Sequence, residues 1–266
     1  MDSMPVDKLA PSDAKGSGAE DSVPSEVKPE RRRRDLLEVS VGYGFVLLAI
    51  WTLPPWQRWF SWAALAWVLL ATALSFDGWS ALGLRGPGFL RSLWIVGAAL
   101  LLAAAAVTVS ARLDTLHVPR YPSLFIRRFW AYAIFALLQE FLLLDFFLLR
   151  LLRLLQPRKT AAVMATTGLF ALAHLPNPVL TPVTLLWGCI ACLLFLRYRN
   201  LYTLAMTHAI FGICIAVTIP GPVDHNMRVG LSYFTYRPHH AILAARVSHQ
   251  ARATSGNSFR SNCGRD

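Results

Sequence analysis

Charged side chains are scarce: Asp, Glu, Lys and Arg make up 15% of the 266 residues, against the roughly 25% usual in soluble domains. Hydrophobic residues make up 55%, and the mean hydropathy is +0.44. The shortage of charge excludes a soluble globular domain, and the apolar excess excludes a disordered chain. Acids are rarest where the chain is most apolar. Of the 15 Asp and Glu, nine fall within residues 1–38 and two from Asp224 onward, so the long middle holds only Asp77, Asp114, Glu140 and Asp145. Glu140 and Asp145 lie inside an apolar run, which is where the chemistry is to be sought.

Cysteine is equally sparse. Cys189, Cys192 and Cys214 fall in apolar segments, and only Cys263 does not. Cys189 and Cys192 form a single CxxC in the setting WGCIACLLF with no second CxxC beside it, so they read as small packing residues rather than as a thiol pair, a disulfide or a zinc finger. No HExxH is present. The net charge of +11 is spread over short loops and two tails, with no basic stripe interleaved with aromatics. That distribution suits anionic lipid headgroups and excludes nucleic acid as a partner. No internal repeat is evident, and no short apolar segment is followed by a small-residue cleavage site, so a cleavable signal peptide is not expected.

What is present is a series of apolar runs. Residues 1–35 are rich in Ser, Pro, Asp, Glu and Lys and are expected to form a disordered polar tail ending in Arg31, Arg32, Arg33 and Arg34. Runs long enough for a bilayer follow at 37–53, 59–76, 90–111, 129–150, 160–176, 179–196 and 201–219, and a weaker eighth at 229–245 contains His239 and His240. Pro54-Pro55, Gly86-Pro87-Gly88, Pro157, Pro176-Asn177-Pro178 and Arg197-Tyr198-Arg199-Asn200 punctuate them. Trp51, Trp56, Trp59, Trp62 and Trp79 cluster near span ends, as interfacial rings do. The expected fold class is therefore all-α, a polytopic membrane bundle of about seven to eight helices. Its bundle occupies 36–220, and a basic, largely disordered tail runs from 221 to 266. The polybasic flank predicts a cytoplasmic amino-terminal side; Arg112, Arg120, Arg127 and Arg128 run against the positive-inside rule.

An ionisable side chain at bilayer depth costs about 2.5–3.5 kcal/mol for Asp, and such residues face the bundle interior and serve function. Glu140, His174 and His208 meet that description, each on a different helix. Together they can hold a water, with a carboxylate to take its proton and two imidazoles to orient it and stabilise charge. The same three residues are also compatible with interhelical structural ties or with the proton relay of a carrier.

Around these residues the sequence resembles the CPBP family of intramembrane endopeptidases, which includes CAAX proteases, bacteriocin-processing enzymes and abortive-infection proteins. The residues that carry the likeness are Gln139-Glu140, the run Phe170-Ala171-Leu172-Ala173-His174, the Arg197–Asn200 turn leading to His208, and the LGLRGPGF stretch at 82–89. The family motifs are EExxxR, FxxxH and HxxxN. FxxxH is intact as Phe170 and His174. In the first motif either Glu140 stands for the leading Glu, with Phe141 and Asp145 at the other two positions, or Gln139 does, making that group an amide. The third motif starts at His208 and has Gly212 where Asn belongs, which leaves Asn177 and Gln139 as the available amides.

The resemblance implies a glutamic-type endopeptidase in which Glu140 activates water, His174 positions it and His208 supports the oxyanion. Gln139, Phe170, Asn177 and Asp145 are possible supporting residues. Phe170 is expected to pack on the imidazole one turn away. Asp145, about 140° around an α-helix from Glu140, is expected near Arg150 and Arg153 at the interface. No resident cofactor is implied; a zinc held by Glu140, His174 and His208 is the lesser alternative. The expected partners are a protein or peptide substrate presented in the membrane and the lipid bilayer, in a bacterial cytoplasmic (inner) membrane. The other readings are an inactive relative acting as a binding scaffold and a proton-coupled carrier.

Overall fold

A computed structural model describes residues 29–76, 78–84, 88–118 and 122–237, and every regular element among them is a helix. The chain runs α1 (Pro29–Trp51), α2 (Pro54–Leu74), α3 (Phe89–Arg112) and α4 (Pro122–Glu140). A π-helical stretch over Phe141–Leu148 continues into α5 (Leu149–Leu154), followed by α6 (Lys159–Leu172), α7 (Leu180–Tyr198) and α8 (Leu201–Thr218). Two single turns, α9 (Gly221–Asp224) and α10 (Leu231–Phe234), close the described chain. Among the described residues four helices are long and apolar enough to cross a membrane: Phe89–Arg112, Phe129–Leu154, Leu180–Tyr198 and Leu201–Thr218. The spans expected at 37–53, 59–76 and 160–176 fall on α1, α2 and α6. The first two dilute their apolar faces with Asp35 and Glu38 or with Gln57 and Arg58, and α6 has only 14 residues.

Helix ends follow local chemistry. Pro54 and Pro55 open α2, where a missing N–H costs nothing. Asn200 caps α8 by accepting the Thr203 N–H at 3.0 Å, and Arg199 ends α7 in a left-handed conformation. Gly83 docks its carbonyl on the Leu201 N–H at 3.0 Å. Its φ of 64° and the Phe195 ring, 2.7 Å from where a Cβ would stand, both require glycine there.

Packing pairs α1 with α2 and α6 with α7, while α8 lies between α3 and α4. The π-helical stretch forms the centre. Leu143, Leu144 and Leu148 bury against Val163, Trp187, Ala191, Phe195, Leu201 and Leu204 from α6, α7 and α8. Phe146 and Phe147 bury on the opposite side, against Val39, Val68 and Ala71 of α1 and α2.

Residues 29–35 correct the expected tail boundary, because they form the opening turns of α1. Asp35 is fully buried and receives two bonds from Arg153 at 2.7 and 2.8 Å; Glu38 pairs with Arg150 at 2.6 Å and with Arg34 at 3.4 Å. The partner of Asp35 lies 118 residues away, so Asp35 reads from composition as part of a solvated tail. Residues 1–28 lie outside the described residues.

The carboxyl-terminal tail is corrected in the same way. Residues 221–237 fold back on the loop after α6, where the Gly230 N–H donates to the Leu175 carbonyl at 2.7 Å. Of the weak eighth segment only α10 is helical among the described residues, and residues 238–266 lie outside them.

Candidate active site

Glu140 closes α4 where the helix switches to π-helical winding, a change common at functional sites. Its side chain is fully buried. One carboxylate oxygen, Oε1, accepts from the Trp187 indole N–H of α7 at 2.6 Å and meets the Nδ1 of His208, on α8, at 2.8 Å. Among the described residues the other oxygen, Oε2, has no hydrogen-bonding partner. Both contacts converge on one oxygen and leave the second unengaged among the described residues, so Trp187 and His208 are the groups that compensate this buried carboxyl.

His174 follows α6 by two residues and directs Nδ1 at the Phe170 carbonyl, 2.7 Å away. Its ring packs edge-on against Phe170 at 4.8 Å, and Phe170 is also 6.1 Å from the His208 ring. Among the described residues His174 makes no hydrogen bond to Glu140 or His208. It joins them through a shared cavity of about 150 Å³, whose polar lining is Tyr132, Gln139, His174, Thr184, Trp187 and His208. Phe135, Leu180, Val183, Phe211 and Ile215 supply apolar walls, and Met227 and Val229 cover it from the returning segment. Glu140 sits behind this lining and reaches the cavity through His208, its bonded neighbour.

Gly212 also lines the cavity, one turn beyond His208 on α8. A Cβ there would overlap the hydroxyl and ring of Tyr132 from α4. The Tyr132 phenol therefore fills the room that a side chain at 212 would need, and among the described residues its hydroxyl makes no hydrogen bond.

Two expected supporting residues are placed elsewhere. Asn177, fully buried, donates to the carbonyls of Asp224 and Arg228 at 2.6 and 3.0 Å and accepts from the N–H groups of Val179 and Leu180. With both ends of its amide engaged it caps α7 and ties down residues 224–228, and it has nothing left to offer a substrate. Asp145 is 1% exposed, and neither carboxyl oxygen has a hydrogen-bonding partner among the described residues. Arg150 binds Glu38 instead and reaches only the Asp145 backbone carbonyl. Asp145 lies in the π-helical stretch, whose i→i+5 bonding departs from the 3.6-residue turn assumed in placing it.

Trp187 and Tyr132 escaped the sequence reading, since an aromatic in an apolar run looks like core or lipid-facing surface. The available signal for Tyr132 was Gly212, whose missing side chain calls for a bulky neighbour. For zinc, no group of three His, Cys, Asp or Glu side chains is arranged to hold a metal ion among the described residues.

Residues 121–214, running from the start of α4 through most of α8 and containing Glu140, His174 and His208, match the family described as Rce1-like type II CAAX prenyl endopeptidase. No curated protein and no solved structure matches the chain.

Proposed function

We propose that this chain, an integral membrane protein of the CAAX-protease family, is a glutamic-type endopeptidase acting on a protein or peptide presented at the membrane. The carrying observation is the Glu140–His208 hydrogen bond at 2.8 Å beside the cavity that His208 and His174 line. In this reading Glu140 and His208 act as one acid–base pair. The carboxylate accepts from Nδ1–H and fixes the tautomer, so the Nε2 lone pair is available to a water in the cavity. As the water oxygen adds to the scissile carbonyl carbon, its proton passes to the pair and the carbonyl π electrons become an oxyanion. Collapse reforms the carbonyl, breaks the C–N bond and returns the proton to the departing amine. His174, anchored through Nδ1 on the Phe170 carbonyl, presents Nε2 to position the water or polarise the carbonyl. The apolar walls suit an apolar side chain beside the cleaved bond. The Arg31–Arg34 flank supports a cytoplasmic amino-terminal side in a bacterial inner membrane, testable by labelling a single cysteine placed beside it in intact cells.

A second reading, a non-catalytic binding module, is favoured by one observation: Gln139, not Glu140, lines the cavity directly. The experiment is cleavage of a membrane-anchored peptide library by purified protein in detergent. Glu140→Gln keeps shape and hydrogen bonding but removes the charge, and cleavage is expected to fall by about 10²–10⁴-fold. Gln139→Glu is expected to lower activity or leave it unchanged, because it adds an uncompensated acid. A wild type that cleaves nothing while Gln139→Glu cleaves would replace the enzyme reading with the binding module.

A further inference from the structure

We propose that the Tyr132 hydroxyl is the hydrogen-bond donor to the oxyanion, supplied from α4 where the HxxxN motif has an Asn and this chain has Gly212. The inference rests on the hydrolytic reading above.

Three observations carry it. First, the third motif has lost its amide: Gly212 offers no side chain, and one turn earlier His208 has its Nδ1 committed to Glu140. Second, the space is not empty. The Tyr132 hydroxyl and ring occupy the volume into which a Cβ at 212 would project, so glycine there and the phenol opposite are two halves of one arrangement. Third, the hydroxyl is unspent. It makes no hydrogen bond among the described residues, and Tyr132 lines the same cavity as His174 and His208. A buried or half-buried phenol usually finds a partner; one held at a reaction cavity without one has an O–H available for an incoming oxygen. Of the two amides that the sequence offers, Asn177 is consumed by structural bonds, and Gln139 lines the cavity while the room beside Gly212 is filled by Tyr132.

The chemistry needs no extra reagent. The phenol donates a hydrogen bond and keeps its proton, while the oxyanion electrons come from the carbonyl π bond and return to it on collapse. A donor placed for the tetrahedral state rather than for the planar carbonyl acts mainly on kcat.

The test uses the full-length protein in detergent with the membrane-anchored peptide substrate and with a peptidyl phosphinate, whose tetrahedral oxygens report oxyanion binding without turnover. Tyr132→Phe retains the ring and its packing and removes only the O–H. It is expected to lower kcat by about 10²–10³-fold, with KM nearly unchanged, and to weaken phosphinate binding by a similar factor. Gly212→Asn alone is expected to be inactive because the new side chain overlaps the Tyr132 ring. Tyr132→Ala with Gly212→Asn removes the ring and supplies an amide, and is expected to recover at least about tenfold of the activity that Tyr132→Ala loses.

A wild type that cleaves, with Glu140→Gln inactive and Tyr132→Phe within about twofold in kcat, overturns this inference and leaves the hydrolytic reading standing. A wild type that neither cleaves nor binds the phosphinate overturns both. A Tyr132→Phe variant that loses kcat and KM together, with phosphinate affinity unchanged, assigns the phenol to packing and also overturns the inference.

Discussion

Replacing Trp187 with phenylalanine removes the indole N–H together with two ring carbons of a buried side chain. The indole nitrogen is 2.6 Å from Glu140 Oε1, and the ring is buried, edge-on to Phe211 at 5.4 Å and to His208 at 6.4 Å. A phenyl ring keeps most of those edge contacts. Glu140 then retains a single partner, His208, on a carboxylate that is otherwise enclosed by hydrocarbon. A hydrogen bond to a charged group contributes about 1.5–3 kcal/mol, and each 1.4 kcal/mol is tenfold, so kcat/KM should fall roughly 10- to 150-fold. The loss requires the Glu140 charge, so Trp187→Phe added to Glu140→Gln should cost little further activity, a non-additivity expected of residues in direct contact. Cleavage of the membrane-anchored peptide gives the kinetic values, and thermal unfolding in the same detergent separates them from any loss of fold. A Trp187→Phe variant within about twofold of wild type, alongside an inactive Glu140→Gln, would refute the argument that this bond stabilises the working carboxylate.

Asp145→Leu is expected to retain activity and to raise stability by about 1–3 kcal/mol, the cost of a buried polar group without a partner. A fall in unfolding temperature would mean that the carboxyl is compensated after all. Asn177→Ala is expected to free residues 221–237 from the loop after α6, because each buried group left unpaired costs roughly 1–3 kcal/mol. Limited proteolysis should then cut near Met227, and activity should fall as Met227 and Val229 leave the cavity; an uncut, fully active variant would contradict the capping role.

The helical fold was readable because apolar runs of bilayer length leave few alternatives, and the candidate trio was readable because Glu140, His174 and His208, with Asp145 beside Glu140, are the acids and histidines of three such runs. Asp145 was misplaced for a specific reason. Helical-wheel reasoning assumes 3.6 residues per turn, and nothing in FLLLDFFL announces the π-helical winding that moves it. Asp35 and Glu38 were assigned to a tail and to a span edge because the guanidinium groups that bury them are set by tertiary contact. Asn177 looked like a spare amide since its partners are backbone carbonyls at Asp224 and Arg228, which carry no sequence signature. Tyr132 and Trp187 were silent for the opposite reason: in a membrane protein an aromatic ring has so many uses that its polar tip gives no pattern.

The pairing of α1 with α5 also imposes an order on biogenesis. Glu38 and Asp35 leave the ribosome 112 and 118 residues ahead of Arg150 and Arg153. At 5–20 residues per second the interval is roughly 6–24 seconds, during which α1 carries two acids that lipid will not solvate. Its polar opening turns must wait at the headgroup layer or in the insertion machinery until the arginines arrive. Though made before the other described helices, α1 is thus among the last of them to be fully seated, and the bundle closes around it rather than growing outward from it.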